Sequence, residues 1–222
     1  MAPRGKRTLS EHESKRMLAA YGLPLPREAM ANGREEAVRA AGEIGWPVAL
    51  KANDPRLAHK SEAGAVALNL SGPEELGRAL DDMEARLGFA PQGWLVAEMV
   101  RGNRELVLGA SKQISFGPCV MLGLGGVFTE VLDDVVFRMA PMDRGEALAM
   151  MDEIKAARLL GPFRGQAAVD REALALALVG LSNFCLARPE VAEVDINPLI
   201  IRPDGRIVAV DALVVLEDGY ER

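Results

Sequence analysis

The closing stretch, VAEVDINPLIIRPDGRIVAVDALVVL, constrains the fold more than any other part of the chain. Two runs rich in Val, Ile and Leu flank Pro203-Asp204-Gly205. That triplet suits a three-residue hairpin loop, with proline opening a type I turn and glycine taking the left-handed position. If Arg202 pairs with Arg206, the register carried outward places Asn197 opposite Asp211. Side chains alternate along a strand, so Asp195 falls on the same face as Asn197. Two readings stay open: polar residues facing water on an edge hairpin, or hard oxygen donors of the kind that hold Mg²⁺ together with phosphates and water. Pro198 cannot donate to a ladder, so the pairing is expected to be vulnerable there.

The chain around this hairpin is long enough, at 222 residues, for one large domain or two small ones. Its 49% hydrophobic and 26% charged composition is that of a globular protein. A net charge of −6 argues against nucleic-acid binding, which needs clustered Lys and Arg for phosphates. The basic residues Arg4, Lys6 and Arg7 read as a frayed tail. Cys119 and Cys185 lie in the apolar runs GPCVMLG and NFCLA, and two buried thiols fit a reducing cytoplasm. Neither a signal-peptide core nor a run of about 20 apolar residues is present, so no membrane role is expected and the localisation reads as cytoplasmic.

Upstream, Ser10 to Glu13 form a capping-box pattern that starts a helix ending at Gly22. A second helix follows over EEAVRAAGEIG, closed by Gly45. WPVALKAN and AVALNL are strand-like, and Pro73 to Leu87 is a helix with Leu76, Leu80, Met83 and Leu87 on one stripe. WLVAEMV, ELVLGAS and PCVMLGL are further strands. Asp143 and Glu146 cap a helix to about Leu160, and Asp170 starts another ending near Arg188. The order is neither strict strand–helix alternation nor all-β, so the fold class is α+β, arranged as two lobes.

Several chemistries are excluded by missing residues. Gly123, Gly125 and Gly126 invite a dinucleotide fingerprint, but Phe128 stands where its last glycine is needed. No P-loop, zinc-ligand spacing or nucleophile elbow occurs. His12 reads as a solvent-facing helix residue. His59, in AHKSEAGA, is open to three readings from the residue alone: loop polarity, a metal ligand, or a side chain that carries a group.

PVALKAN, LAHKSEAGAVALNL, VAEMVRGNRELVLG, FGPCVMLGLGGVFTEVLDDVVFRMAP and VAEVDINPLIIRPDGRIVAVDA occur in this order. Together with the LSEHESKRMLAAYGLPLP opening, they resemble the ATP-grasp domain of NDP-forming acyl-CoA synthetases. That domain is the β subunit of ADP-forming acetyl-CoA synthetase, and it is more distantly similar to the succinyl-CoA synthetase β subunit. The resemblance spans about residues 9 to 216. It implies an ATP-grasp fold whose two α+β lobes clasp the nucleotide. On that basis residues 1–8 are a disordered tail, 9–23 an N-terminal helix packing on the second lobe, 24–97 the first lobe and 98–222 the second.

The resemblance also implies an enzyme, an ADP-forming acid–thiol ligase. It interconverts acyl-CoA, ADP and phosphate with acid, CoA and ATP through a phosphohistidine relay. The cofactors implied are ATP or ADP and Mg²⁺. The partner implied is a CoA-binding α subunit or domain carrying the other phosphorylated histidine, in a hetero-oligomer. By matching positions, Lys51 touches the nucleotide phosphates, Glu98 accepts from the adenine amino group with Val100 and Arg101 nearby, and Glu105 meets the ribose. Asn197 and Asp211 become Mg²⁺ ligands, and Asp195 steadies the phosphohistidine. His59 becomes the phosphate carrier, a role that suits an imidazole neutral and nucleophilic near pH 7, on a loop whose small residues let it approach phosphate or move. Arg104 and Arg138 are candidates to neutralise charge. The family's usual second glycine after H-K-S is Ala65 here, which would alter the loop if that position requires positive φ. Two alternatives remain: an ATP-grasp ligase acting alone through an acyl phosphate, and a non-catalytic nucleotide-sensing module.

Overall fold

The computed structural model describes residues 5–57, 60, 62–113, 116–126 and 134–217. The chain divides into two units. The smaller holds residues 9–13 and 26–99, and the larger holds 1–8, 14–25 and 100–222.

The smaller unit is a four-stranded antiparallel sheet, in the order β2 (Glu28–Ala31), β5 (Gly93–Glu98), β3 (Val48–Asn53), β4 (Val66–Leu70). Helices α2 (Arg34–Ile44) and α3 (Pro73–Leu87) pack on it. α3 forms because proline at its first turn needs no donor, its apolar residues recur every three to four positions, and Gly88 ends it in the left-handed region at φ 67°. Leu76, Leu80 and Met83 enter a core with Val48, Leu50, Trp94 and Val96. β3, the strand between β5 and β4, is buried at all six positions.

The larger unit holds a seven-stranded antiparallel sheet, ordered β1 (Lys6–Thr8), β11 (Leu213–Glu217), β9 (Val191–Ile201), β6 (Arg104–Gln113), β7 (Gly117–Leu124), β8 (Val135–Met139). β10 (Ile207–Ala209) also pairs with β9. One face, carrying Leu106, Leu108, Val120, Leu122, Val194, Ile196 and Val214, is buried. α5 (Arg171–Ala187) packs against β6 and β7, and α4 (Arg144–Glu153) packs against α5 and β8.

Four expectations are corrected. Lys6 to Thr8 belong to a strand, not a disordered tail, because β11 supplies backbone partners and Glu217 faces Lys6. α1 (Glu11–Ala19) does not pack wholly with one unit: its first turn through Glu13 clusters with the smaller unit and the remainder with the larger. The helix capped by Asp143 and Glu146 stops at Glu153, and a separate 3₁₀ turn follows over Ala157–Leu160. The break comes from the buried Asp134 carboxylate, which accepts from the Lys155 and Ala156 amides at 2.6 and 2.7 Å. Cys119 is half-buried, whereas Cys185 is buried. β2 and β8 have no counterpart in the sequence reading; both are short and gain their identity from a neighbouring strand.

Candidate functional site

The hairpin forms in the expected register. Arg202 donates to the Arg206 carbonyl at 2.8 Å, Gly205 donates to Arg202 at 2.9 Å, and Gly205 has φ 88°. Ala209 pairs with Leu199 on one side and Leu213 with Asp195 on the other, so Asn197 and Asp211 lie at the matching position between them. The ladder does break around Pro198, splitting the last strand into β10 and β11, but the register does not slip across the break. The Pro198 carbonyl still accepts from Val210 at 3.1 Å.

Asp195 and Asn197 are exposed and Asp211 is half-buried. The Asp211 carboxylate is oriented by the Ala212 amide, 2.9 Å from Oδ1. On β6, Gly109 pairs with Asp195, and Glu105 shares that side of the strand with Gly109 by alternation. Three carboxylates and an amide therefore occupy one face of the larger sheet, opposite its packed face. Among the described residues no group of three or more His, Cys, Asp or Glu side chains has metal-holding geometry. Two protein oxygens, with the remainder from phosphate and water, are what Mg²⁺ ordinarily takes, so Asn197 and Asp211 fit that ion.

The glycines after β7 find their reason beside Glu105. The Gly125 amide donates to the Glu105 carbonyl at 2.8 Å, and a Cβ on Gly125 would stand 2.9 Å from that backbone. Gly126 has φ 78°, and its Cβ would meet the Glu105 carboxylate at 3.4 Å. These glycines let a loop lie against Glu105.

In the smaller unit Lys51 is the fourth of the six residues of β3 and is buried. Its Nζ is 2.7 Å from Oε1 of Glu11, while Lys60 Nζ is 3.1 Å from Oε2 of the same carboxylate. Glu11 and Lys60 are functional candidates that the sequence reading missed; Lys51 lies in PVALKAN and Lys60 in AHKSEAGA, but nothing local marks Glu11 as their partner. Glu98 ends β5, and its carboxylate accepts from both the amide and Nε of Arg27 at 3.3 and 3.2 Å. The partner that an acidic residue in an apolar strand requires is thus provided within the chain. His12 is partly buried, not solvent-facing, and its Nδ1 has no hydrogen-bond partner among the described residues. Asn53 accepts from its amide at 3.0 Å.

Val100 is buried and Arg101 exposed in the larger unit. Arg104 is buried and donates to the carbonyls of Leu159, Gly161 and Ala167 at 3.0, 3.0 and 2.6 Å. Burial pulls its pKa below the ordinary arginine value. Arg138 is ion-paired with Glu153. Arg104 is committed to holding the larger unit together, which speaks against its neutralising phosphate charge.

His59 lies outside the described residues. Close to it in sequence, Ala65 is buried and is not among the described non-glycine residues with positive φ, which are Asn69 and Arg164. Its amide donates to the Lys60 carbonyl at 2.8 Å and its carbonyl accepts from Ala52 at 2.9 Å. Gly64, at φ 64° with a Cβ position 2.5 Å from the Arg86 guanidinium, is the glycine that this turn requires. The alanine at 65 therefore imposes no backbone strain.

Residues 1–216 match the family model of the ATP-grasp domain. The chain is 41% identical over 215 residues to the β subunit of acetate–CoA ligase (ADP-forming) I of Pyrococcus furiosus, covering 95% of this chain and 92% of that one. It is similar to a structure of Ca. Korarchaeum cryptofilum dinucleotide-forming acetyl-coenzyme A synthetase 1 in complex with coenzyme A and Ca-AMPCP. The TM-score is 0.88 and the identity 40%, covering 95% of this chain and 94% of that chain. A second structure of that enzyme, in complex with coenzyme A and Mg-AMPPCP, has its phosphohistidine segment pointing towards the nucleotide-binding site. It matches with a TM-score of 0.83 at 39% identity, covering 95% and 93% of the two chains.

Proposed function

The chain belongs to the ATP-grasp family that includes the β subunits of ADP-forming acetate–CoA ligases, and on that footing we propose that it is the nucleotide-handling subunit of an ADP-forming acyl-CoA synthetase. The observation that carries this reading is the facing pair Asn197 and Asp211, on one sheet face with Asp195 and Glu105. An oxygen-rich face of this kind has no use in packing and suits Mg-nucleotide.

The residue roles follow the same proposal. Asn197 and Asp211 hold Mg²⁺, and Asp195 steadies the phosphorylated imidazole. Lys51 meets phosphate oxygens, Glu105 the ribose, and Glu98 with Val100 and Arg101 the adenine. A carboxylate has about four lone-pair sites, so Glu98 can bond both Arg27 and an amino group. The first lobe is the smaller unit and the second lobe the larger. His59 takes a phosphoryl group from the partner's phosphohistidine and passes it to ADP. Its N–P bond breaks as an O–P bond forms on the terminal phosphate of ADP, and the neutral imidazole is restored. When bound, Mg²⁺ supplies charge neutralisation at the phosphate oxygens. The partner is a CoA-binding subunit, the assembly is a hetero-oligomer and the compartment is the cytoplasm. Among the described residues no helix is long and apolar enough to cross a membrane.

Labelling with γ-³²P-ATP in the presence of the partner subunit tests the reading. Acid-labile, alkali-stable phosphate is expected on this chain, and His59→Ala should abolish it. Persistence of the label in that variant removes the carrier role. Acyl-CoA synthesis by the isolated chain would instead favour a stand-alone ligase, and Mg-ATP binding without phosphotransfer, even with partner present, a sensing module.

A further inference from the structure

Two buried ammonium groups share one carboxylate in the smaller unit. The side chains of Glu11, Lys51 and Lys60 are 1%, 9% and 4% exposed. Each oxygen of Glu11 faces a different lysine, at 2.7 and 3.1 Å, so a single carboxylate sets the spacing of the two ammoniums. Two ammonium groups and one carboxylate thus meet at one point of the smaller unit.

The trio is anchored through its backbone as well. Ser10 and Glu13 cap the start of α1: the Ser10 amide lies 2.9 Å from the Glu13 carboxylate, and the Glu13 amide 3.4 Å from the Ser10 hydroxyl. The His12 amide ties the same turn to Asn53 at the end of β3. Lys60 is held by the Ala65 amide, and Ala65 by Ala52 in β3. As a stability device this arrangement is poor, since buried ion pairs are generally matched or exceeded by apolar residues of similar volume. The trio is better explained by what the lysines are held ready to do.

We propose that Glu11 is a positioning residue. It presets Lys51 and Lys60 as a two-ammonium cradle for the phosphoryl group in transfer, while its own negative charge keeps it from contacting phosphate. This rests on the reading that Lys51 meets nucleotide phosphates, and it adds Lys60 to the cradle and Glu11 as the group that spaces it. Removing the charge of Glu11 raises the net charge of the trio and takes away the carboxylate that sets the spacing of the two ammoniums. Nucleotide binding is then retained or strengthened while transfer slows. A purely structural role would weaken both together.

The test uses the full chain with its partner subunit. Mg-ADP binding is measured by calorimetry, and single-turnover phosphoryl transfer from labelled ATP is measured in parallel. For Glu11→Gln, an Mg-ADP Kd equal to or below that of the native chain is expected. Transfer should fall by about 10- to 100-fold, the cost of misplacing a reacting group by about an ångström. Glu11→Asp, which keeps the charge, should recover most of the rate. The Glu11→Gln/Lys60→Gln pair should lose less rate than the sum of the single effects predicts, because both act on one cradle, and strict additivity would count against the proposal. Native transfer rates in Glu11→Gln, or a Kd that rises in step with the loss of rate, would overturn the proposal. Should Glu11→Gln not fold, Lys60→Met takes its place: loss of one cradle ammonium should slow transfer by at least about 10-fold, and a native transfer rate in that chain would overturn the proposal. A Lys51→Met chain with native Mg-ADP affinity would sink the underlying assignment of Lys51 instead, which separates the two failures.

Discussion

Replacing Gly180 by alanine sets two effects of opposite sign against each other. Gly180 lies inside α5, where alanine is favoured over glycine by about 1 kcal/mol. A Cβ there would stand 1.9 Å from the Tyr21 carbonyl oxygen and 3.0 Å from its carbon. The obstacle is backbone, with no flexible side-chain end to swing aside, and the oxygen must retreat by about 1.5 Å to reach ordinary contact. Overpacking of this kind costs about 3 kcal/mol, the upper end of the usual range. The clash therefore wins, and net destabilisation of about 2 kcal/mol is expected. With an m-value of about 2 kcal/mol/M, the urea midpoint should fall by roughly 1 M. Gly42 in α2 is the control, because a Cβ there meets nothing within 4 Å. Gly42→Ala should stabilise by about 0.5–1 kcal/mol. Trp46 and Trp94 both lie in the smaller unit, so far-UV circular dichroism is the suitable probe for Gly180. The segment that Gly180 accommodates also bears on the site: Tyr21 packs edge-on to Phe184 at 5.2 Å, and Pro24 accepts from Ala209, two residues before Asp211. A Gly180→Ala chain with an undiminished midpoint and unchanged m-value would refute the reasoning.

Three further outcomes are expected. Asp134→Ala removes two buried charge-assisted bonds to the Lys155 and Ala156 amides, and should cost about 2–4 kcal/mol in urea unfolding. A cost under about 0.5 kcal/mol would show that water replaces them. Asp211→Asn should raise the Mg²⁺ concentration needed for phosphoryl transfer by at least about 10-fold, with little change in thermal stability; an unaltered Mg²⁺ requirement would remove Asp211 from the metal. Burial pushes the Cys185 thiol up from 9.0 to about 12. A raised folded pKa gives stability that is present below the unfolded value and lost as pH rises towards the folded one. Unfolding free energy should therefore decline above about pH 9, and Cys185→Ala should flatten that decline. An identical slope in both chains would rule the thiol out as its source.

The parts of this protein that were legible in the sequence are those whose physics is local. The Pro203-Asp204-Gly205 turn and the two-residue period of strands were enough to bring Asn197 opposite Asp211. The caps of α3 and α5, at Gly72–Pro73 and Asp170, lie within the segments that they start. The helix after Asp143 was legible at its start for the same reason, but not at its end, because the group that breaks it is Asp134. Lys6 to Thr8 read as a tail because a three-residue strand carries no periodicity of its own.

Sequence alone determined the α+β class, the hairpin register and, through motif resemblance, the residues proposed for nucleotide and metal. Tertiary structure decided which charges meet. Glu11 joins Lys51 and Lys60 from separate elements, Arg27 takes the Glu98 carboxylate, and Arg104 is consumed by three backbone carbonyls. A turn or a cap is settled among neighbours within a few residues. A buried charge is settled by whichever opposite charge or dipole the finished fold brings within reach, and no spacing in the chain announces that partner.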